Sequence, residues 1–326
     1  MIPSTAIVRY DLSPPMEEFD LAADRLNFIG HRIYRPMSVG IQAANLGKVK
    51  LEQLLQNVET ERAPGGGYHG DDFEMDIYSY SCQEHGAEAP VDDALLAIFR
   101  DIIDIDAISS ARALDKVLRR YERAVAAKLY DEAVFTGSLT NACGSNWSDH
   151  DNAKPIDDIH KGVEGVVTNG GMQPNAVVMN TLQYFHLCNC AQIVDRVKYT
   201  ETATQDEVRS KVADCIGLKY VLVAGALQNT ANPQQARSIS RIWGNSTAAV
   251  CRVAETDDPE EPCIGRTMMW DGDGPGAVGS DEPIAVIMEE YRDEKVRGSR
   301  FRARNNRDIV TIYSQASNRL TNVLAS

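Results

Sequence analysis

Asp106-Ala-Ile-Ser-Ser-Ala-Arg-Ala-Leu-Asp-Lys-Val-Leu-Arg-Arg-Tyr-Glu-Arg-Ala-Val125 is the stretch on which the fold turns. Ile108, Ala111, Leu114, Leu118, Tyr121 and Val125 recur at three- and four-residue steps, which places them on one stripe of a helix. The pattern runs from Asp106 to about Phe135. Asp115 with Arg119, and Lys128 with Glu132, are i,i+4 pairs on its wet face, and Gly137 offers a left-handed stop. About thirty residues at ~1.5 Å each predict a rod of roughly 45 Å. That is long for a globular enzyme.

Upstream of the rod, the pattern is extended. Thr60-Glu-Arg-Ala-Pro-Gly-Gly-Gly67 is a turn signal, and Phe73-Glu-Met-Asp-Ile77 alternates apolar and acidic residues as a half-solvated strand does. Val49 and Leu51 begin the opposite arm, although Leu51 to Leu55 also reads as a helical turn. The expectation is a long hairpin over 46–90 with Gly65, Gly66 and Gly67 at its tip. An isolated two-stranded ribbon is marginal in water, so Phe73, Met75 and Ile77 are expected against a neighbouring subunit. Asp92 to Arg100 reads as a short helix. The first forty-odd residues, with Pro3, Pro14, Pro15 and Pro36, read as an arm with one short helix from Glu17 to Leu26.

Downstream, helices and strands alternate. Pro155 opens a helix that Asn169-Gly170-Gly171 closes, Ala176 to Met179 is a buried strand running into a helix through Tyr184, and Tyr220 to Val223 is another strand. Helices are expected over Ile193–Tyr199 and Asp206–Ile216, and further strands at Trp243, Ala249–Val253 and Thr267–Trp270. From Pro283 the chain is strand-rich, over Ile284–Tyr291, Lys295–Arg304 and Ile309–Ser314. The fold class is α+β.

Composition narrows function. The 326 residues are 43% hydrophobic and carry 33 basic against 47 acidic side chains, a formal charge of −14 that repels nucleic acid and anionic membrane as a whole. No run approaches the ~18 apolar residues of a spanning helix, and the N-terminus lacks a secretion signal, so the protein is expected inside the cell that makes it. Seven cysteines, an odd number, fit free thiols.

Several strings imitate functional motifs. Gly65-x-Gly67-x-x-Gly70 lacks the preceding strand and following helix of a dinucleotide site. Asp271-x-Asp273 with Gly276 and Glu282 imitates a calcium loop, but Pro275 and Gly279 stand at ligand positions. His186 with Cys188 and Cys190 has no second ligand pair, and the loop around His150 has no recognisable third group. No catalytic residue, cofactor or metal is expected. Arg297, Arg300, Arg302, Arg304 and Arg307 form a basic cluster in which Arg300, Arg302 and Arg304 share a strand face. Neighbouring acids on this chain, carboxylates of an adjacent subunit and nucleic-acid phosphate all remain open as their partners; the second is expected.

In its order of parts the chain resembles the major capsid proteins of tailed double-stranded DNA phages, which share the HK97-like fold. The local matches are Pro174-Asn-Ala-Val-Val-Met-Asn180, Ile193-Val-Asp-Arg-Val-Lys-Tyr199, and the end from Ile287-Met-Glu-Glu-Tyr-Arg292 through Ile309-Val-Thr-Ile-Tyr313. The resemblance implies an N-terminal arm over 1–44 and an extended E-loop over 45–91. It also implies a peripheral domain over 92–150 and 284–326 with spine helix 106–135, and an axial domain over 151–283. It implies self-assembly into hexamers and pentamers of an icosahedral virion shell made in the host cytoplasm. Portal, separate scaffolding protein and cement or decoration protein are the implied partners, with packaged DNA only weakly bound and no membrane. A hundred-residue scaffolding segment found in part of the family does not precede this arm, so scaffold is expected from a separate protein or a missing segment. An encapsulin-like cellular compartment shell, and from a different class a soluble α/β hydrolase, are the alternatives.

Overall fold

The long helix forms over Ile105–Leu129. Asp104 caps it, its side chain accepting from the Ala107 amide at 3.0 Å. Tyr121, Val125 and Leu129 are buried along one stripe, and Arg112, Lys116, Arg120 and Arg123 are exposed on the other. The helix stops six residues short of Phe135, so the rod is about 37 Å long. Glu132 lies beyond its end and pairs with Arg319 at 3.1 Å instead of Lys128, whereas Asp115 and Arg119 do pair, at 2.7 Å. Gly137 has a left-handed φ of 58°, but it opens a short 3-10 turn and does not end the helix.

This computed structural model describes residues 7–8, 28–57, 60–62, 64–68, 74–99, 104–197, 205–232, 235–272, 284–295 and 297–325. The expected helix at Glu17–Leu26, Gly70, Phe73 and the calcium-like loop from Asp273 to Glu282 lie outside them.

Two main sheets carry the fold, and the long helix packs on the first. At the centre of that six-stranded sheet runs Gly298–Thr311. It pairs antiparallel with Gln83–Asp92, with Ile287–Asp293 and with Gly265–Trp270. Two expectations are corrected here. The break anticipated between Arg304 and Ile309 is absent, because Asn305, Asn306 and Arg307 are held extended opposite His85, Glu84 and Gln83. Residues 83–91, assigned to the E-loop, are strand in this sheet and not hairpin. Phe301 and Ala303 point under the helix onto Ala113 and Val117, and Arg300, Arg302 and Arg304 point away from it.

The supposed arm is also partly core. Gly30–Ile33 makes one helical turn, and Arg35–Val39 pairs parallel with Gly265–Trp270. Ile29, Ile33 and Tyr34 are buried against the long helix. Ile7–Val8 adds an edge strand beside Ile287–Asp293.

The second sheet runs in the order Thr140–Ala142, Ser317–Thr321, Ala248–Cys251, Ala176–Asn180, Tyr220–Ala224. It crosses the expected boundaries at 150 and 284, since its first two strands come from segments assigned to the other domain. Gly265–Trp270, assigned to the axial domain, belongs to the first sheet. Both faces are covered. Ala176, Val178 and Cys251 meet the core that includes Tyr121 and Val125, while Val177, Met179 and Val250 meet Ile156, Ile159 and Leu187.

Candidate functional site: surfaces for assembly

Ala43–Val49 and Met75–Ser81 pair antiparallel as a two-stranded ribbon outside both sheets, in the register Ala43↔Ser81 to Val49↔Met75. Its root is fixed by Tyr80 and Cys82, buried with Val39, Met268 and Val310. Part of its length rests on the chain's own body: Lys48 Nζ donates to the Ile312 carbonyl at 2.9 Å, and the Tyr313 hydroxyl donates to that of Val49 at 2.8 Å. The ribbon is therefore not a free projection along its whole length. The inward face carries Leu46 and Tyr78, paired across the strands.

The outward face is apolar. Ile77 is 73% exposed and Met75 55%, with Gly47 opposite Ile77 and the Met75 side chain folded against it. Phe73, Met75 and Ile77 were expected against a neighbouring subunit; within this chain Tyr78 and Tyr80 take the body side, and parity leaves Met75 and Ile77 on the outward face. Beyond the ribbon, Leu51–Leu54 is a helical turn. Leu55 is exposed at 64%, and the tip is a turn in which Gly65 has φ +89°. Gly65, Gly66 and Gly67 are all exposed; Arg62 lies 4.6 Å over the Tyr68 ring, itself 81% exposed.

The arginines of the central strand find their acids at home. Arg302 stands in register between Glu88 and Glu289, 2.8 Å from the first and 3.6 Å from the second. Arg300 lies 3.2 Å from Glu88 and 2.8 Å from Asp293, and Arg304 2.7 Å from Glu289. The Tyr291 hydroxyl donates to Glu88 at 2.9 Å, and Arg302 lies over its ring. Burial works against ionising Glu88, but Arg302, Tyr291 and Arg300 outweigh it and hold the carboxyl below its ordinary range. The expectation of partner-subunit carboxylates is corrected accordingly: three adjacent strands supply both signs.

A buried carboxylate that sequence reasoning missed joins three parts of the chain. Glu122 of the long helix accepts from the Ile29 amide at 3.0 Å, the Gly30 amide at 2.9 Å and the Trp243 indole at 2.8 Å. Burial pushes its pKa up to about 7 despite these donors. Asn180 and Gln183 form a reciprocal capping box at the strand–helix junction, and both reach the loop at Trp243–Thr247.

The motif-like strings do not converge. His150 and His186 are 2.9 Å apart and Cys190 donates to the His186 carbonyl, yet among the described residues no three His, Cys, Asp or Glu groups gather as a metal site. All seven cysteines are free.

No protein-family model matches the sequence, and no curated protein does. Solved structures do. The chain is similar to a phage-related protein from Bordetella bronchiseptica RB50 over 98% of both chains, with a TM-score of 0.67 at 19% identity. It is similar to the mature capsid protein of bacteriophage PhiM1 over 90% of this chain and 86% of that one, at 0.53 and 12%. The chain has the HK97-like capsid fold. The chain is also similar to a virus-like particle protein from Pyrococcus furiosus over 95% of this chain and 97% of that one, at 0.55 and 9%. Within that fold the ribbon is the E-loop hairpin and the long helix the spine. The α/β hydrolase alternative does not have this architecture.

Proposed function

We propose that this chain is the major capsid protein of a tailed double-stranded DNA phage, building hexamers and pentamers of an icosahedral head. The observation that carries the reading is the outward face of the hairpin. Met75 and Ile77 stand in solvent side by side on a ribbon too thin to bury them. Self-complementary closure cannot satisfy such a ribbon when it overlies a different part of the next copy; heterologous contacts of that kind close into rings and shells. Gly65, Gly66, Gly67, Phe73, Met75 and Ile77 are the proposed intersubunit contacts. The chain acts by position and not by turnover, and portal, scaffolding and decoration proteins are its expected partners in the virion.

Sizing of the purified protein by light scattering, with electron microscopy of the product, tests this. Closed particles of megadalton mass are expected, and a persistent small oligomer, with or without a co-expressed scaffold, overturns it. Nucleic acid recovered from particles marks a phage head; a protein cargo seated on the inner face marks an encapsulin-like compartment.

A further inference from the structure

The exposed face of the spine helix carries basic residues that no acid among the described residues pairs with. Arg112, Lys116, Arg120 and Arg123 lie on one arc of that face, with successive steps of about 6 Å or less over roughly 16 Å of axis. Lys128 is also exposed, five residues past Arg123 and off this arc. Among the described residues none of these five enters an ion pair, whereas Arg119, just off the arc, is paired with Asp115.

A cleft of about 580 Å³ opens beside this stripe, between the helix and the strands at Gln83–His85 and Arg307–Ile309. Arg120, Arg123, Lys128, His85 and Arg307 line it, against Asp131 and Asp308. Both acids are engaged by backbone amides, Asp131 by Ala133 and Asp308 by Ser81. Arg307 is only 2% exposed and has no carboxylate partner among the described residues. Its guanidinium lies 5.0 Å over the Tyr121 ring and donates to Asn305 Oδ1 at 3.1 Å. Burial lowers its pKa to about 10, and burial with Arg307 and Arg120 lowers that of His85. A buried cation at the edge of a basic stripe, neither paired with an acid among the described residues, is an unusual arrangement in a chain of charge −14.

We propose that the outer face of the spine helix and the cleft beside it form a surface for the phosphodiester backbone of nucleic acid. The repeat of cations suits a linear polyanion: duplex DNA presents a charge every ~1.7 Å of axis, so a stripe of this length faces several phosphates at once. Contacts to the phosphodiester backbone carry no base information, so recognition is independent of base sequence. The inference rests on the capsid reading only in naming packaged DNA as the nucleic acid met, and it turns the spine toward the particle interior.

Binding of a short random-sequence DNA duplex to the full-length, unassembled chain, followed by fluorescence anisotropy across a salt series, tests the proposal. Arg120→Gln, Arg123→Gln and Lys128→Gln together are expected to weaken binding at low salt by about tenfold or more. The slope of log affinity against log salt should fall by about 2.7. The charge-retaining pair Arg120→Lys and Arg123→Lys should restore both, and Arg302→Gln should change neither. Unchanged affinity in the triple variant overturns the proposal, as does an equal loss in Arg302→Gln. Loss of particles in nucleic-acid-free preparations with DNA affinity intact also overturns it and gives the stripe to an acidic protein neighbour. The same samples are sized: a chain that binds with the expected slope but forms no particle supports this surface while removing the capsid reading.

Discussion

The five-stranded sheet and the E-loop hairpin are built from similar apolar residues, yet one completes itself and the other does not. Val177, Val178 and Met179 are all fully buried because helices and the spine cover both faces of their sheet. Met75 and Ile77 occupy the same kind of pleated surface with cover on one side only. In the sheet, free energy from burial is realised within the chain. In the hairpin it is not, and under the proposed function a neighbour supplies it, at ~25 cal/mol per Å² of apolar surface.

Substitutions on the two surfaces should therefore separate assembly from stability. Ile77→Glu is expected to abolish particle formation in light scattering while the denaturant midpoint of the unassembled chain stays within about 0.5 kcal/mol of the parent. Loss of monomer stability on that scale or larger would make the hairpin part of the intrachain core. Ile159→Ala is expected to do the opposite, costing about 2–5 kcal/mol in unfolding free energy through the cavity left against Val250 and Leu320.

Glu122 offers a pH-resolved version of the same contrast, because it locks the body and not the hairpin. Its folded pKa, about 7, lies above the ordinary 4.5, so the native state holds the proton that the unfolded chain has released between those values. Unfolding free energy should then decline as pH rises through this window, by about 3 kcal/mol from this group, and level off above it. Denaturant titrations of the parent and Glu122→Gln at several pH values check this: the difference between them should change with pH below about 7 and stay flat above. A difference independent of pH would show an ordinary carboxylate.

The smallest effect is expected on the central strand. In Arg302→Gln, Glu88 keeps Arg300 and Glu289 keeps Arg304, so half-exposed pairs should cost under about 1 kcal/mol and leave particle formation intact. Failure of empty particles in that variant would return these arginines to the subunit interface.

Much of this was legible along the chain. Apolar residues at helical spacing marked the spine; Pro155 and Gly171 bounded a helix from Pro155 to Gly170, with Gly171 at φ +62°. The run from Ala176 to Asn180 was a buried strand leading into a capped helix. The hairpin, its strand from Met75 and its glycine tip were likewise local features. What was misread depended on distant partners. Gln83–Asp92 is polar and contains Gly86 and Pro90, and it becomes strand only because Gly298–Arg307 pairs along it. Ser317–Thr321 carries no apolar alternation, but two strands hold it. Residues 28–39 read as arm because the spine that buries Ile29 and Tyr34 lies far along the sequence.

The sequence by itself determined the local periodicities: where helix and strand are favoured, where glycine and proline punctuate them, and that a thin ribbon needs support. Those follow from side-chain volume and backbone freedom within a few residues. Only the tertiary structure decided that Arg300, Arg302 and Arg304 meet this chain's own acids while Arg112, Lys116, Arg120 and Arg123 meet none among the described residues. Charge is paired or left bare by which strands and helices become neighbours, and that is set by the packing of the whole chain.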